Sequence, residues 1–548
     1  MFKTRTANQT EYMIHDYLLI SIGVVIAVML LVILGQRLKV AYPIFLVIAG
    51  LLISLTPGMP VLQINPDIVF LIFLPPILFE AAWFTSWKDF WKWRRPIFLL
   101  AFGLVFLTAL VVALASSALI PGITLALGFL LGGINSPPDA VAATSVLKHM
   151  KIPKRDITIL EGESLVNDAS SLIVFKFALA AVMTGQFVWY HALKDLLVMA
   201  SGGILVGLAV GFLFAWLLNR IRSNSNIDTV LTLVVPYVMY IVAERLHFSG
   251  VLAVVAGGLM MSYHSHCFLS HTTRIQAVNV WSTLIFLINA FIFILIGLEM
   301  PVVVQGMKNY SIADGIKYAV ILGGIIVATR IAWCYLIAFA PRWFSKKIRR
   351  TEPNPGWRGP LLMSFAAMRG VVSLASALAI PLVLSSGEAF PHRDILLFVT
   401  FVIIVLTLVG QGLLLPLFIK WLNIKEIDEV LPREKQEALI QASLKHAALT
   451  AINSNYQQQA AQNSLVNHQK RKLESDLELL SNKLQCIATS AHHAEVATVN
   501  KDIARELIQV QRHQLLRLRH EQQFEDAVLR SQEMQLDLEE AKITGFEH

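Results

Sequence analysis

Between Gly162 and Ser171 the sequence GESLVNDASS sets two carboxylates, Glu163 and Asp168, beside an amide, Asn167, and a hydroxyl, Ser164, in a stretch otherwise apolar enough to be buried. At helical spacing Ser164 and Asp168 share one face and Glu163 and Asn167 share the neighbouring one. Glu161 lies two turns below Asp168 on nearly the same side. One face therefore offers a carboxylate and a hydroxyl to a small cation, and hard oxygen donors of this kind suit Na+ or Li+. The other face suits a structural ion pair.

A second acid stands in an unusual backbone. In GGINSPPDAVAA, Asp139 follows Pro137 and Pro138, which cannot donate backbone hydrogen bonds and which clash with the preceding turn, so a helix must unwind or kink beside it. Irregular backbone at membrane depth survives only where protein or a water-filled cavity satisfies it. Broken helices with free carbonyls and helix ends are the mark of secondary transporters. The stretch AAMRGVVSLASALAIP, with Arg369 and Gly370 in its middle, is a plausible counterpart. Each of the two is the middle helix of a three-helix group, an inverted-repeat arrangement for which the halves offer no visible sequence similarity.

Few other charges fall inside apolar runs. They are Glu80 in FLPPILFEAAW, Lys176, Arg330 in VATRIAW and Arg369. A charge at mid-bilayer costs at least about 2.5 kcal/mol on insertion scales, so each needs a partner or a role. Arg330 and Arg369 read as buried counter-ions and Lys176 as a structural or snorkelling group. Glu80 is equally ligand or brace, and Glu161, near a helix end, is equally solvated or functional. For Asp139 and Asp168 a purely structural acid is the weaker reading, because both lie mid-span beside a helix distortion or a partner amide.

These residues need a bilayer-spanning framework to position them, and the composition supplies one. The chain has 548 residues, 56% of them hydrophobic and only 15% charged, far from a soluble average. Apolar runs of spanning length, about 20 residues each, recur from Tyr17 to Leu422. They give about thirteen spans, centred near residues 25, 48, 76, 108, 135, 171, 207, 238, 257, 289, 327, 372 and 407. The sixth span opens near Thr158, so Asp168 lies about 15 Å into it, close to the midplane. The N-terminal run lacks a small-residue cleavage site and reads as a retained helix. Cys267, Cys334 and Cys486 are far apart, without ligand spacing, and read as free thiols.

Alternate loops carry most of the Lys and Arg. One set holds Arg37, Lys88, Lys92, Arg94, Arg95, Lys148, Lys154, Arg155, Arg220, Arg274, Arg342 and Arg358; the other has few, such as Arg245, Lys308 and Arg393. The positive-inside rule puts the basic set in the cytoplasm, the N-terminus outside and the C-terminal tail inside, with Lys3 and Arg5 arguing weakly against. The excess of basic residues is thus topological and meets anionic lipid; no nucleic-acid partner is implied. Composition shifts after Trp421, dividing the chain into a membrane domain, residues 1–422, and a helical cytoplasmic tail, residues 423–548. In the tail Leu473, Leu477, Leu480 and Leu484 form a short coiled-coil-like seam. RHQLLRLRH at 512–520 reads as a solvated face rather than a lipid contact, and His492, His493 and Glu495 are poor grounds for a metal.

The ordered motifs PPILFE, SPPDAV, GESLVNDASS, the Arg330 span and MRGVVS together resemble the sodium/proton exchanger branch of the monovalent cation/proton antiporters, over roughly residues 15 to 422. The resemblance implies an all-α polytopic fold of thirteen helices with inverted repeats, a homodimer in the bacterial inner membrane, and a core subdomain that moves against a dimerisation subdomain. It implies that Asp168 carries the ion, preceded by Asn167, with Asp139, Ser164 and Glu80 as further ion-site positions, Glu163 and Arg330 as the buried ion pair, and Arg369 as the second intramembrane arginine. Many members have Thr where Pro138 stands, so a hydroxyl is lost here.

The chemistry expected is competition: a bare carboxylate cannot cross the low-dielectric barrier until a proton or a monovalent cation neutralises it. Asn167 carries no proton and Glu163 is held by Arg330, which leads to one-for-one, electroneutral exchange of cytoplasmic Na+ or Li+ for external H+. No cofactor and no enzymatic activity is expected. A K+/H+ antiporter of the same fold is the alternative. An intramembrane aspartyl protease would need an aspartate dyad, one member in a GxGD setting, which these contexts do not provide; a passive channel fits paired charges in broken helices poorly.

Overall fold

The computed structural model describes most of residues 22–424, 433–457 and 463–489, with 506–515, 517, 532 and 535–540; short connections, among them 57–68, 347–355 and 425–432, fall outside. His492, His493, Glu495, Lys3 and Arg5, with 516 and 518–520 of the basic stretch, lie outside the described residues. The chain divides into two compact units, Met1–Asp428 and Glu429–His548.

The larger unit is built of helices, with no strand among the described residues. In chain order they are α1 (Val25–Arg37), α2 (Tyr42–Ser54), α3 (Val69–Phe84), α4 (Arg94–Leu119), α5a (Leu125–Asn135) and α5b (Ala140–Leu147), and α6 (Lys154–Thr184). There follow α7 (Trp189–Ile221), α8 (Ser225–Arg245), α9 (Gly250–Phe268), α10 (His271–Gly306), α11 (Ile312–Phe344), α12a (Arg358–Phe365) and α12b (Val371–Leu378), and α13 (Arg393–Leu422). Each expected span centre falls on one of these segments. Among the described residues, eight helices are long and apolar enough to cross a membrane. The large apolar side chains Leu205, Phe212 and Trp216 of α7 point outward, as lipid-facing groups do.

Sequence explains both interruptions. After Asn135 the residues Ser136, Pro137 and Pro138 leave the helix, and it resumes at Ala140. Between Phe365 and Val371 the residues Ala366 to Gly370 are likewise non-helical. The two breaks meet: the Asp139 backbone N–H donates to the Met368 carbonyl at 2.7 Å, in an isolated antiparallel bridge. Three other helices carry a π-helical segment, Val69–Phe73 in α3, Leu99–Leu104 in α4 and Leu406–Gln411 in α13, which re-aims the flanking backbone groups.

Small residues let the helices around the breaks approach closely. An added Cβ at Gly132 of α5a would come within 2.6 Å of the Ala109 carbonyl of α4, and one at Gly128 within 2.7 Å of that of Ala113. Apolar packing then fixes the frame in three buried clusters that converge on the crossing. Ile134 belongs to one, Ala142 and Met368 to another, and Val166 and Ala169 to the third.

In the smaller unit, α14 (Arg433–Asn455) packs along α15 (Ser464–Thr489). The leucine seam faces inward: Leu480 is buried and Leu473, Leu477 and Leu484 are half-buried, while Leu479, off the seam, is 65% exposed. Lys445 and Asp476 bridge the two helices at 2.5 Å.

Gly132→Val should force α4 and α5a apart. Overpacking of this kind costs about 1–3 kcal/mol, so the expected outcome is a melting temperature lowered by several degrees in detergent, read by intrinsic fluorescence; an unchanged melting curve would refute the close approach.

Candidate ion-binding site

Two broken helices expose four ends of two kinds, orphan N–H and orphan C=O groups, and in a membrane only protein groups or trapped water can meet them. Asp139 serves the positive ends. Its Oδ1 accepts from the Val141 backbone N–H at 2.8 Å, capping α5b. Its other oxygen lies against Gly370, the residue before α12b, so close that a Cβ there would overlap the carboxylate. Arg369 serves the negative ends. Fully buried, it donates from Nε to the Asn135 carbonyl at 3.1 Å, at the end of α5a, and from a terminal nitrogen to the Ala367 carbonyl at 3.0 Å, beyond α12a. Its own backbone N–H reaches the Thr407 hydroxyl at 3.2 Å, in the π-segment of α13. The charge that Arg369 counters as a buried counter-ion is that of a pair of helix C-termini, which carry the negative end of the peptide dipoles.

Asn135 and Asn167 lock the break to its neighbours. The Asn135 amide donates to Leu131 O at 3.0 Å and to the Thr400 hydroxyl of α13 at 3.1 Å. The Asn167 amide of α6 donates to the Pro138 carbonyl at 2.9 Å. Pro138, where a hydroxyl residue is common in the resembled family, thus still contributes through its backbone. Among the described residues the buried Oδ1 atoms of Asn135 and Asn167 have no hydrogen-bond donor. Ser170 closes the register of α6 by donating to Asn167 O at 2.8 Å and to the Ala101 carbonyl in the π-segment of α4.

Asp168 lies beside this crossing, near enough to Asp139 for their charges to interact. It is half-buried, with Ser164 one turn earlier on the same side of α6, also half-buried. The Ser171 hydroxyl donates to the Asp168 backbone carbonyl at 3.0 Å, and among the described residues no donor reaches its carboxylate.

On the neighbouring face of α6, Glu163 meets Arg330 of α11 through two parallel bonds of 2.6 and 2.8 Å, with both side chains 1% exposed. The guanidinium also donates to the Met363 carbonyl of α12a at 3.3 Å. Bidentate geometry with further guanidinium donors on a carbonyl is what a buried pair requires to offset its desolvation.

Glu80, half-buried on α3, and Asp139 both lie within electrostatic reach of Tyr42 on α2, whose hydroxyl pairs with the Asn289 side chain of α10. The Tyr42 ring is held by Phe286 and Phe293, at centroid distances of 5.6 and 6.5 Å. Sequence reading missed Tyr42 and Asn289, although Asn289 was signalled by an amide alone in FLINAFIF. It also missed Asn135, Thr400 and Thr407. Glu161 is exposed, and Lys176 reaches Glu244 of α8 at 3.4 Å with both side chains partly exposed, away from the crossing.

A profile of the family "Sodium/hydrogen exchanger, transmembrane" matches residues 24–421. The chain belongs to that family. An uncharacterized Na+/H+ exchanger of Mycobacterium tuberculosis is 31% identical over 96% of this chain and 96% of its own length. A sodium, potassium, lithium and rubidium/H+ antiporter of Bacillus pumilus is 34% identical over 68% of this chain and 57% of its own. The sodium proton antiporter MjNhaP1 of Methanocaldococcus jannaschii at pH 8 superposes with a TM-score of 0.56 at 20% identity, covering 74% of this chain and 100% of that one, and so shares the fold. This exchanger-family chain is a multi-pass membrane protein with the two-break helical architecture just described.

Removing one partner of the ion pair strands a buried charge, a loss of about 3–5 kcal/mol. Glu163→Gln and Arg330→Gln are expected to cut the yield of monodisperse protein severely in fluorescence-detected size-exclusion chromatography. The swap Glu163→Arg with Arg330→Glu should recover part of it; two single variants as stable as wild type would show that the pair braces nothing.

Proposed function

We propose that this chain is a secondary antiporter exchanging cytoplasmic Na+ or Li+ for external H+, one for one, with Asp168 as the group for which the two compete. The observation that carries it is the approach of Asp168 to the Asp139 crossing of two interrupted helices, in a member of the sodium/hydrogen exchanger family. Asp139 and Arg369 each meet helix ends and Glu163 is paired, so Asp168 is the carboxylate whose charge a cargo must balance. Ser164 one turn earlier on α6, the unpartnered Oδ1 of Asn167 and the second oxygen of Asp139 are the hard donors offered beside it. Glu80 of α3, like Asp139, lies within electrostatic reach of Tyr42.

Neutralised by Na+ or by H+, the site crosses the barrier; bare, it does not, and leak is suppressed. Asn167 adds no titrating charge, which makes the exchange electroneutral. The packing supports a core subdomain of α4–α6 and α11–α13 moving against a second one in which α2 packs on α10 and α3 on α9, with Tyr42, Glu80 and Asn289 on the fixed wall. The remaining parts of the reading are a homodimer in the bacterial inner membrane with lipid around it, N-terminus outside and tail inside. K+ in place of Na+ is the second reading, since the Bacillus pumilus relative is a sodium, potassium, lithium and rubidium/H+ antiporter.

The test is a proteoliposome assay with a pH dye, offering Na+, Li+ and K+ in turn. Asp168→Asn should abolish exchange, and full activity in that variant would remove Asp168 from the role. On the acid side, where the carboxylate is protonated, the apparent KM for Na+ should rise about tenfold per pH unit, the linkage of one proton to one cation. Transport current on a solid-supported membrane would contradict electroneutrality.

A further inference from the structure

Every residue of α6 from Gly162 to Phe175 is buried except Ser164, Asp168 and Leu172, which are half-buried. Spaced by four, these three lie on one side of the helix. The stripe continues to the exposed Glu161 at one end and the exposed Lys176 at the other, so an approach to Asp168 along α6 runs on it from one end or the other. The two ends differ. Toward Glu161, about 10 Å from Asp168 on the side of the basic loops, the stripe holds a hydroxyl and an exposed acid. Toward Lys176, about 12 Å away in the opposite direction, it is closed twice. Leu172 packs on the apolar cluster that includes Val251, Leu252 and Val255 of α9. Beyond it the Lys176 ammonium spans to Glu244 at the end of α8, 3.5 and 3.4 Å from the two carboxylate oxygens.

Glu244 stays with the wall. Its Oε1 accepts from the Gly250 backbone N–H at 3.4 Å, at the start of α9, and the neighbouring Ser249 N–H donates to the Met199 carbonyl of α7 at 3.1 Å. α8 itself packs on α3, α7, α9 and α10. Lys176 travels with α6, which packs on α4 and α5a. The pair therefore crosses the seam between core and wall. We propose, resting on the reading of exchange by a moving core, that Leu172 and the Lys176–Glu244 pair form the gate on the far side of Asp168. The structure is then the state open toward the basic loops, and the gate parts when the core moves. With side chains 47% and 38% exposed, the pair is screened by solvent and biases the two states only a few-fold. That suits a contact broken and remade at every turnover, where a buried bidentate pair such as Glu163–Arg330 would lock the seam.

Full-length protein with C267S and C486S is tested in two arms. In the first, E161C is treated with a membrane-impermeant maleimide in everted and in right-side-out vesicles. Labelling is expected from one face only, the everted preparation under the proposed topology. K176Q weakens the closed gate and shifts the core toward the opposite state, so it should slow that labelling by up to about fivefold. K176E with E244K should restore the rate. Equal labelling from both faces, or a rate that K176Q leaves unmoved, overturns the proposal whether or not the vesicles exchange cations. In the second arm, K176C and E244C are joined by a cleavable bifunctional thiol reagent. Exchange should stay at background until the link is cut, while the same reagent on either single variant leaves exchange running. Full exchange through the intact link overturns the gate and leaves the antiport reading standing. A protein that exchanges no cation, yet in which E161C labels from one face and responds to K176Q and to the charge swap as expected, overturns the antiport reading and leaves the gate standing.

Discussion

The bond between the Asp139 backbone N–H and the Met368 carbonyl pins together two helices that are both interrupted. Everything else near the site follows from what such a junction demands. Four helix ends point into a region without bulk water, two with orphan N–H groups and two with orphan carbonyls. One carboxylate answers the first pair and one guanidinium the second, so Asp139 and Arg369 need not touch each other to balance. Each is solvated by peptide dipoles rather than by water, which is why two opposite charges sit at one crossing without forming a salt bridge.

That division of labour leaves Asp168 in a different position from its neighbours. Glu163 is fixed by two short bonds to Arg330, and Asp139 by the α5b cap. Asp168 has neither, although Asn167, next to it in sequence, is tied to the Pro138 carbonyl. The same turn of α6 thus joins a rigid contact to the break with a carboxylate left for something that comes and goes. On the proposed reading, the rigid members set the geometry of the site and the free one sets its charge. A cargo that bound Asp139 instead would have to compete with a helix cap worth about 1 kcal/mol or more, which makes that residue the poorer place for reversible exchange.

Much of this was written in residue types that are expensive in a bilayer. Pro137–Pro138 and the isolated charges at 80, 139, 163, 168, 330 and 369 mark the first break, suggest its counterpart and single out the buried charges, because each is intolerable in an ordinary spanning helix; the pairing of Glu163 with Arg330 is legible only through the family resemblance. The partners of Arg369 were illegible for the same physical reason: it is matched by backbone carbonyls, which every residue owns and no sequence marks. Tyr42, Thr400 and Thr407 were missed because tyrosine and threonine are cheap enough in apolar helices to carry no signal until packing brings them together. The π-segments, which place the Thr407 hydroxyl and the Ala101 carbonyl, arise in runs such as LLAFGL that differ in no evident way from their α-helical surroundings.

The wall opposite the crossing bears on how a mobile site could be kept tight. The Tyr42 hydroxyl is paired with the Asn289 side chain and its ring is backed by Phe286 and Phe293, so that face presents a paired hydroxyl on an aromatic support to a junction whose helix ends, apart from the Oδ1 atoms of Asn135 and Asn167, are met by Asp139 and Arg369. Two surfaces with their hydrogen bonds met internally can slide without stranding a donor or acceptor in low dielectric, where each stranded group costs about 1–3 kcal/mol. Under the proposed mechanism the barrier to movement would then be governed chiefly by the charge state of Asp168, with Glu80 the remaining acid on the wall able to sense it. Coupling in such a design comes from compensating every other charge locally, which leaves the cargo as the variable that decides whether the site is neutral.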